Sequence, residues 1–151
     1  MKVRWARFPL IAGAAIAAGA MLAFALPAGA SVSVQSQSPP VAAVSLGKKA
    51  TLDANGAVIF PTVRITCQPG SVASLSVTVT ENVGGHIAKG SITQQIGSCT
   101  GSTQKFRLAV TPEQRAFRKG VAFGQAQFQV CQVMVACSTA VDEHNIEIVK
   151  K

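Results

Sequence analysis

At 151 residues, with a net charge of +8 and four cysteines, the chain is basic and of single-domain size. It has no Tyr, one Trp and seven Phe. Sites for single-stranded nucleic acid stack bases on aromatic rings, and sugar sites stack sugars in the same way, so this composition argues against both ligand classes.

The chain begins with Lys2, Arg4 and Arg7, then carries no charge from Pro9 to Pro27, and reaches Ala28-Gly29-Ala30 before the polar Ser31. A basic start, an apolar stretch and a small-x-small exit read as a secretory signal peptide over residues 1–30, which predicts a secreted, extracellular protein. The apolar run is also about long enough to span a bilayer, for which about 20 residues suffice. The exit site and the abrupt turn to Ser, Gln and Pro favour cleavage. No Cys stands at that exit to take a lipid, and no later segment has transmembrane length and hydropathy. Cleavage removes three basic residues and the lone Trp5, leaving eleven Lys and Arg against six Asp and Glu. These charges are dispersed, at Lys48-Lys49, Lys105 and Arg107, Arg115, Arg118 and Lys119, and Lys150-Lys151. Such an excess serves as a solubilising surface or attracts anionic wall polymers and lipid headgroups.

Residues 31–45, with Pro39-Pro40 among Ser, Gln, Val and Ala, read as a flexible linker. From 46 to 151 short alternating runs are separated by turn residues, the pattern of an all-β domain. Lys49 to Leu52 ends at Asp53-Ala54-Asn55-Gly56, a hairpin signal. Ala57 to Cys67 alternates with Val58 and Phe60 on one phase and Val63, Ile65 and Cys67 on the other, which predicts a bulge or an edge at Pro61. Gln68-Pro69-Gly70-Ser71 is a turn, Leu75 to Thr80 a strand, and Asn82-Val83-Gly84-Gly85 a turn into His86 to Ile96. Thr103 to Thr111 alternates with Phe106, Leu108 and Val110 facing in and Lys105 and Arg107 facing out. Pro112 to Gly120 is the one stretch with the makings of a helical turn. Val121 to Cys131 and a final strand at Ile146 to Val149 complete the domain. Seven or eight strands with turns every 8–12 residues predict an antiparallel, immunoglobulin-like β-sandwich.

Four cysteines allow three pairings. The short spacing of Cys131 and Cys137, and the placing of Cys67 at a strand end and Cys99 in a polar corner, favour Cys67–Cys99 and Cys131–Cys137. On the chain-entropy model the first contributes about 3.7 kcal/mol and the second about 2.4 kcal/mol. Neither spacing suits zinc, and there is no C-x-x-C redox pair.

With the thiols committed, no catalytic residue and no cofactor or metal site is predicted. His86 follows a glycine turn without a nucleophile elbow and reads as exposed. Asp142-Glu143-His144-Asn145 is a dense polar cluster that reads as a solvated loop before the last strand, and a loosely held divalent cation is its alternative. Arg115, Phe117, Arg118 and Lys119 could press on an anionic surface with Phe117 as an apolar wedge, or Phe117 could pack inside with the charges in water. Gln125, Gln127 and Gln129 share a strand face opposite Ala126, Phe128 and Val130; with Gln132 they form a polar row suited to solvent or to a partner.

At Thr66-Cys67, Ser98-Cys99-Thr100-Gly101, Ala116 to Gly120 and Cys131-x5-Cys137 the chain resembles an uncharacterised family of small secreted proteins of high-GC Gram-positive bacteria, over Leu46 to Val149. The resemblance implies an export-linked β-sandwich and carries no activity. At Cys131, Cys137 and Ile146-Glu147-Ile148 the ending is also similar to apoproteins of the neocarzinostatin type, secreted immunoglobulin-like domains that hold an enediyne in a cleft. The expectation is a non-enzymatic secreted binding or structural module at or outside the cell envelope, with a carrier of a small apolar ligand as the alternative. Its partner is unknown; anionic envelope polymers or another protein fit, and nucleic acid does not.

Overall fold

The computed structural model describes residues 40–132 and 136–151. The expected signal peptide at 1–30, with Trp5, and most of the expected linker lie outside the described residues. Seven strands follow in chain order: β1 (Ala42–Asp53), β2 (Val58–Cys67), β3 (Val72–Val83), β4 (His86–Ile96), β5 (Gln104–Arg107), β6 (Gly120–Gln132) and β7 (Ala136–Lys150). They form one sheet in the order β4-β3-β6-β7-β1-β2-β5.

The all-β expectation holds, but the architecture differs from an antiparallel sandwich. The strands make a single mixed sheet curled into a half-barrel. Its parallel pair is β1 with β7, in register from Lys49↔Glu147 to Leu52↔Lys150. One face of the curl buries the alternating residues read from the sequence. Leu75, Val77 and Val79 on β3, Ala126, Phe128 and Val130 on β6, and Ile59, Val63 and Ile65 on β2 are all buried in one cluster. A curled sheet can bury one face against itself, so a second sheet is not needed to cover these side chains.

Two devices complete the curl. Past β5 the chain continues as a strap, Leu108 to Lys119. Val110 exchanges both backbone hydrogen bonds with Ile59 of β2, at 2.9 and 3.0 Å, and the Glu113 N–H donates to the Lys89 carbonyl of β4 at 2.8 Å. The strap therefore ties the two sides of the sheet together, burying Leu108 and Val110 as it crosses. Gly90 permits that approach, because a Cβ there would collide with the Thr111 carbonyl oxygen. The two disulfides are the second device. Cys67–Cys99 pins the 97–103 corner to the end of β2, and Cys131–Cys137 joins directly opposed residues of β6 and β7.

Several local expectations are corrected. β1 starts at Ala42, inside the segment 31–45 read as linker, because Ala42 to Leu46 pair with β2 from Cys67 to Val63. The irregularity expected at Pro61 lies across from it: Leu46 pairs Val63 and Ala50 pairs Pro61, so Gly47 to Lys49 bulge opposite Thr62. β2 itself keeps one phase, with Ile59, Pro61, Val63, Ile65 and Cys67 all buried. Phe60 is on the other face, with the Arg107 guanidinium 4.6 Å from its ring centroid. Pro112 to Gly120 makes no helical turn. Its N–H groups are spent elsewhere in the fold, Glu113 on the Lys89 carbonyl of β4, Phe117 on the Gly56 carbonyl of the β1–β2 turn and Arg118 on the Glu81 side chain of β3.

The Asp142 to Asn145 cluster is not a loop. It is the middle of β7, whose inward row here is Ala140, Asp142 and His144, too small and polar to read as a strand core. The Asp142 carboxylate accepts the Leu46 N–H at 2.7 Å, at the start of the β1 bulge. His144 Nδ1 lies 3.4 Å from the other Asp142 oxygen. Glu143 alternates to the opposite face, where its carboxylate accepts from Gln125 Nε2 at 3.1 Å. The three groups thus do not converge on one point, and no cluster of metal-ligating side chains occurs among the described residues.

Candidate anion-binding cleft

Three parts of the chain that are remote in sequence meet beside the end of β1. The first is the β1–β2 turn. Asp53 Oδ1 accepts the Ala54 N–H at 2.8 Å, and Ala54, Asn55 and Gly56 all take positive φ, 48°, 55° and 95°. The second is the strap, whose Phe117 N–H donates to the Gly56 carbonyl at 2.9 Å. Here glycine is required twice over, by its φ and because a Cβ would run into the Phe117 carbonyl oxygen. The third is the end of β7, which the parallel register sets next to β1, with Lys150 opposite Leu52. The antiparallel pairing of β6 with β7, Gly120 opposite Ile148, brings Lys119 to the same end.

Between these parts lies a cleft of about 370 Å³ lined by Leu52, Asn55, Phe117, Arg118, Lys119 and Lys150. A neighbouring lobe of about 250 Å³ shares Leu52, Asn55 and Lys150 and adds Asp53, Ala54 and Lys151. The larger lobe has three cationic side chains and no carboxylate in its lining. Among the described residues the one Lys or Arg side chain in an ion pair is Lys49, with Glu147 at 3.7 Å. Among the described residues no carboxylate forms an ion pair with the cationic side chains of the cleft.

Beneath the strap lies Glu81, buried on β3. Its Oε2 accepts the Arg118 backbone N–H at 2.9 Å, which fixes where Arg118 leaves the strap. Burial raises the Glu81 pKa above the ordinary carboxylate value, while the Arg118 hydrogen bond and charge act in the opposite direction.

Of the residues singled out in the sequence, the structure brings Arg118 and Lys119 into the cleft. Phe117 is in its wall but only 1% exposed, so it packs inside and is not a wedge. Arg115 is exposed and outside the lining. His86 is exposed at the start of β4. Gln125, Gln127 and Gln129 are exposed opposite buried Ala126, Phe128 and Val130, and Gln132 is half-buried. Sequence reasoning misses Asn55, Leu52 and Lys150 as partners of Arg118. The adjacent lysines at 150–151 are visible as charge, but nothing local ties them to the strap.

No protein-family model matches the chain, and no curated protein matches it. Among solved structures it is similar to the sporulation control protein Spo0M of Bacillus subtilis, at 11% identity and a TM-score of 0.36. That match covers 74% of this chain and 50% of the other, so the chain spans half the length of that protein. At this distance the likeness bears on neither fold nor function.

Proposed function

We propose that the protein is an exported, non-enzymatic binding module that holds an anionic component of the cell envelope through the cleft at the end of β1. The observation that carries this reading is the grouping of Arg118, Lys119 and Lys150 around a concave site with no lining carboxylate. A concave site with low-dielectric walls focuses the field of its charges more than the same charges dispersed on an open surface. Two disulfides and no free cysteine among the described residues suit an oxidising compartment, and hence export. No helix of the described residues is long and apolar enough to cross a membrane. Among the described residues Phe128, Leu75 and Ile65 are buried within the curl, which supports a ligand site on the surface.

The test is co-sedimentation of residues 31–151 with isolated envelopes of the producing cell. Retention at low salt should fall steeply as ionic strength approaches about 1 M, where the screening length is about 3 Å. The triple variant Arg118→Glu, Lys119→Glu, Lys150→Glu should stay in the supernatant with an unchanged circular dichroism spectrum. Wild-type protein that never sediments, or sediments regardless of salt, would refute the proposal.

A further inference from the structure

We infer that the cleft takes a polyol phosphate, with the phosphate in the larger lobe and the hydroxyl-bearing carbon chain in the smaller; the inference rests on the anion-binding reading above. The two lobes differ in chemistry although they share a wall. The larger offers a guanidinium fork and two ammonium groups, the donor set that suits phosphate oxygens. The smaller adds Asp53, the one side-chain carboxylate of either lining, together with Ala54 and Lys151, to the shared Leu52, Asn55 and Lys150. A second phosphate in that lobe would face the Asp53 carboxylate, whereas alcohol hydroxyls donate to it. Asp53 is held for that task, since Oδ1 already accepts the Ala54 N–H and leaves further acceptor positions on the carboxylate. Leu52, common to both lobes, gives the carbon chain an apolar surface where they join. The lobe volumes are in and just below the usual range for small-ligand sites, about 300–1,000 Å³.

Polyol phosphate occurs both in soluble chains and polymers and in the headgroup of a glycerophospholipid. The rim favours the first source. Among the described residues the large exposed hydrophobic side chains, Val41, Val72, Ile87, Val121, Phe123 and Val141, are all outside the cleft lining, and Phe117 is buried. Leu52 is half-buried in the cleft wall, so a bilayer would find no large, fully exposed apolar side chain here to insert.

The probes are sn-glycerol 3-phosphate, inorganic phosphate and glycerol, titrated into residues 31–151 by NMR at low ionic strength. Glycerol 3-phosphate should bind about tenfold more tightly than inorganic phosphate, a difference of about 1.4 kcal/mol, and glycerol should not bind. Arg118→Gln should weaken both phosphate ligands, and Asp53→Asn should erase the preference between them. The Asn substitution keeps a cap for the Ala54 N–H, and melting temperature checks that the turn survives. A glycerol phosphate oligomer should compete, while vesicles containing phosphatidylglycerol should bind no better than neutral ones. Preferential vesicle binding that glycerol 3-phosphate displaces would assign the site to the headgroup and overturn the soluble source. Equal affinity for phosphate and glycerol phosphate, or a preference unchanged by Asp53→Asn, would overturn the ligand class. Salt-sensitive envelope retention with no such preference would leave the anion-binding reading standing, and loss of envelope retention would remove both.

Discussion

Replacing Gly56 with Ala should be far more damaging than its single added methyl suggests. Gly56 has φ 95°, and an alanine Cβ there would meet the Phe117 carbonyl oxygen and the Ala116 side chain. Placing an L-residue in a left-handed conformation costs about 1–2 kcal/mol. Relieving the collision means lifting the strap, which breaks the 2.9 Å Phe117–Gly56 hydrogen bond, a loss of about 1 kcal/mol. It also withdraws Phe117, 1% exposed, from the core, forfeiting part of the about 1.5–3 kcal/mol that burying a Phe side chain supplies. The total is about 3–5 kcal/mol, a large share of the about 5–15 kcal/mol by which such a domain is stable. Gly70 supplies the control. It has φ 78° in the Gln68–Ser71 turn, but nothing lies within 4 Å of its would-be Cβ, so Gly70→Ala should cost only about 1–2 kcal/mol. Urea unfolding followed by far-UV circular dichroism suits the assay, because residues 31–151 hold neither Trp nor Tyr to report by fluorescence. Equal losses for the two variants would refute the close approach of strap and turn.

Three further outcomes follow from the same contacts. Because burial raises the Glu81 pKa, the folded protein holds that proton more tightly than the unfolded chain, and its stability falls as pH rises from about 4.5 through the folded-state value. Glu81→Gln cannot ionise, so its stability relative to wild type should improve between pH 4 and neutrality; a difference that is flat or declines would contradict the assignment. Asp142→Ala leaves the Leu46 N–H without its 2.7 Å acceptor and should cost about 1–3 kcal/mol in chemical denaturation, with Asp142→Asn recovering part of it; an Ala variant as stable as wild type would mean that water satisfies that N–H. Removing Cys67–Cys99 by paired Ser substitution should lower stability more than removing Cys131–Cys137, about 3.7 against about 2.4 kcal/mol on the loop-entropy model, and the reverse order in denaturant melts would place native-state interactions above loop length.

The alternation of Leu75, Val77 and Val79, and of Ala126, Phe128 and Val130, is enough to assign β3 and β6 their buried faces. A period of two specifies which residues share a side. The turns at Asn55-Gly56, Pro69-Gly70 and Gly84-Gly85 are legible for an equally local reason, since only certain residues take positive φ cheaply. Both cysteine pairs are readable from spacing and position. What lies beyond the sequence is everything set by contacts distant along the chain. β7 hides its first ten residues, because an inward row of Ala140, Asp142 and His144 faces the curl without apolar alternation. The strap gives no sign of its partners, since its N–H groups go to β4, to the β1–β2 turn and to Glu81 rather than to one another.

The sequence by itself determined an all-β domain, the inward residues of most strands and the staples that hold them, because periodicity, turn chemistry and cysteine spacing act over a few residues. Only the tertiary structure decided that the strands form one curled mixed sheet, and that Arg118, Lys119 and Lys150 line a single cleft. The physical reason is register: the parallel pairing of Leu52 with Lys150 and the antiparallel pairing of Gly120 with Ile148 bring charges from distant parts of the chain to one place. Pairing of that range is selected by how the whole core packs, and no local run of residues encodes it.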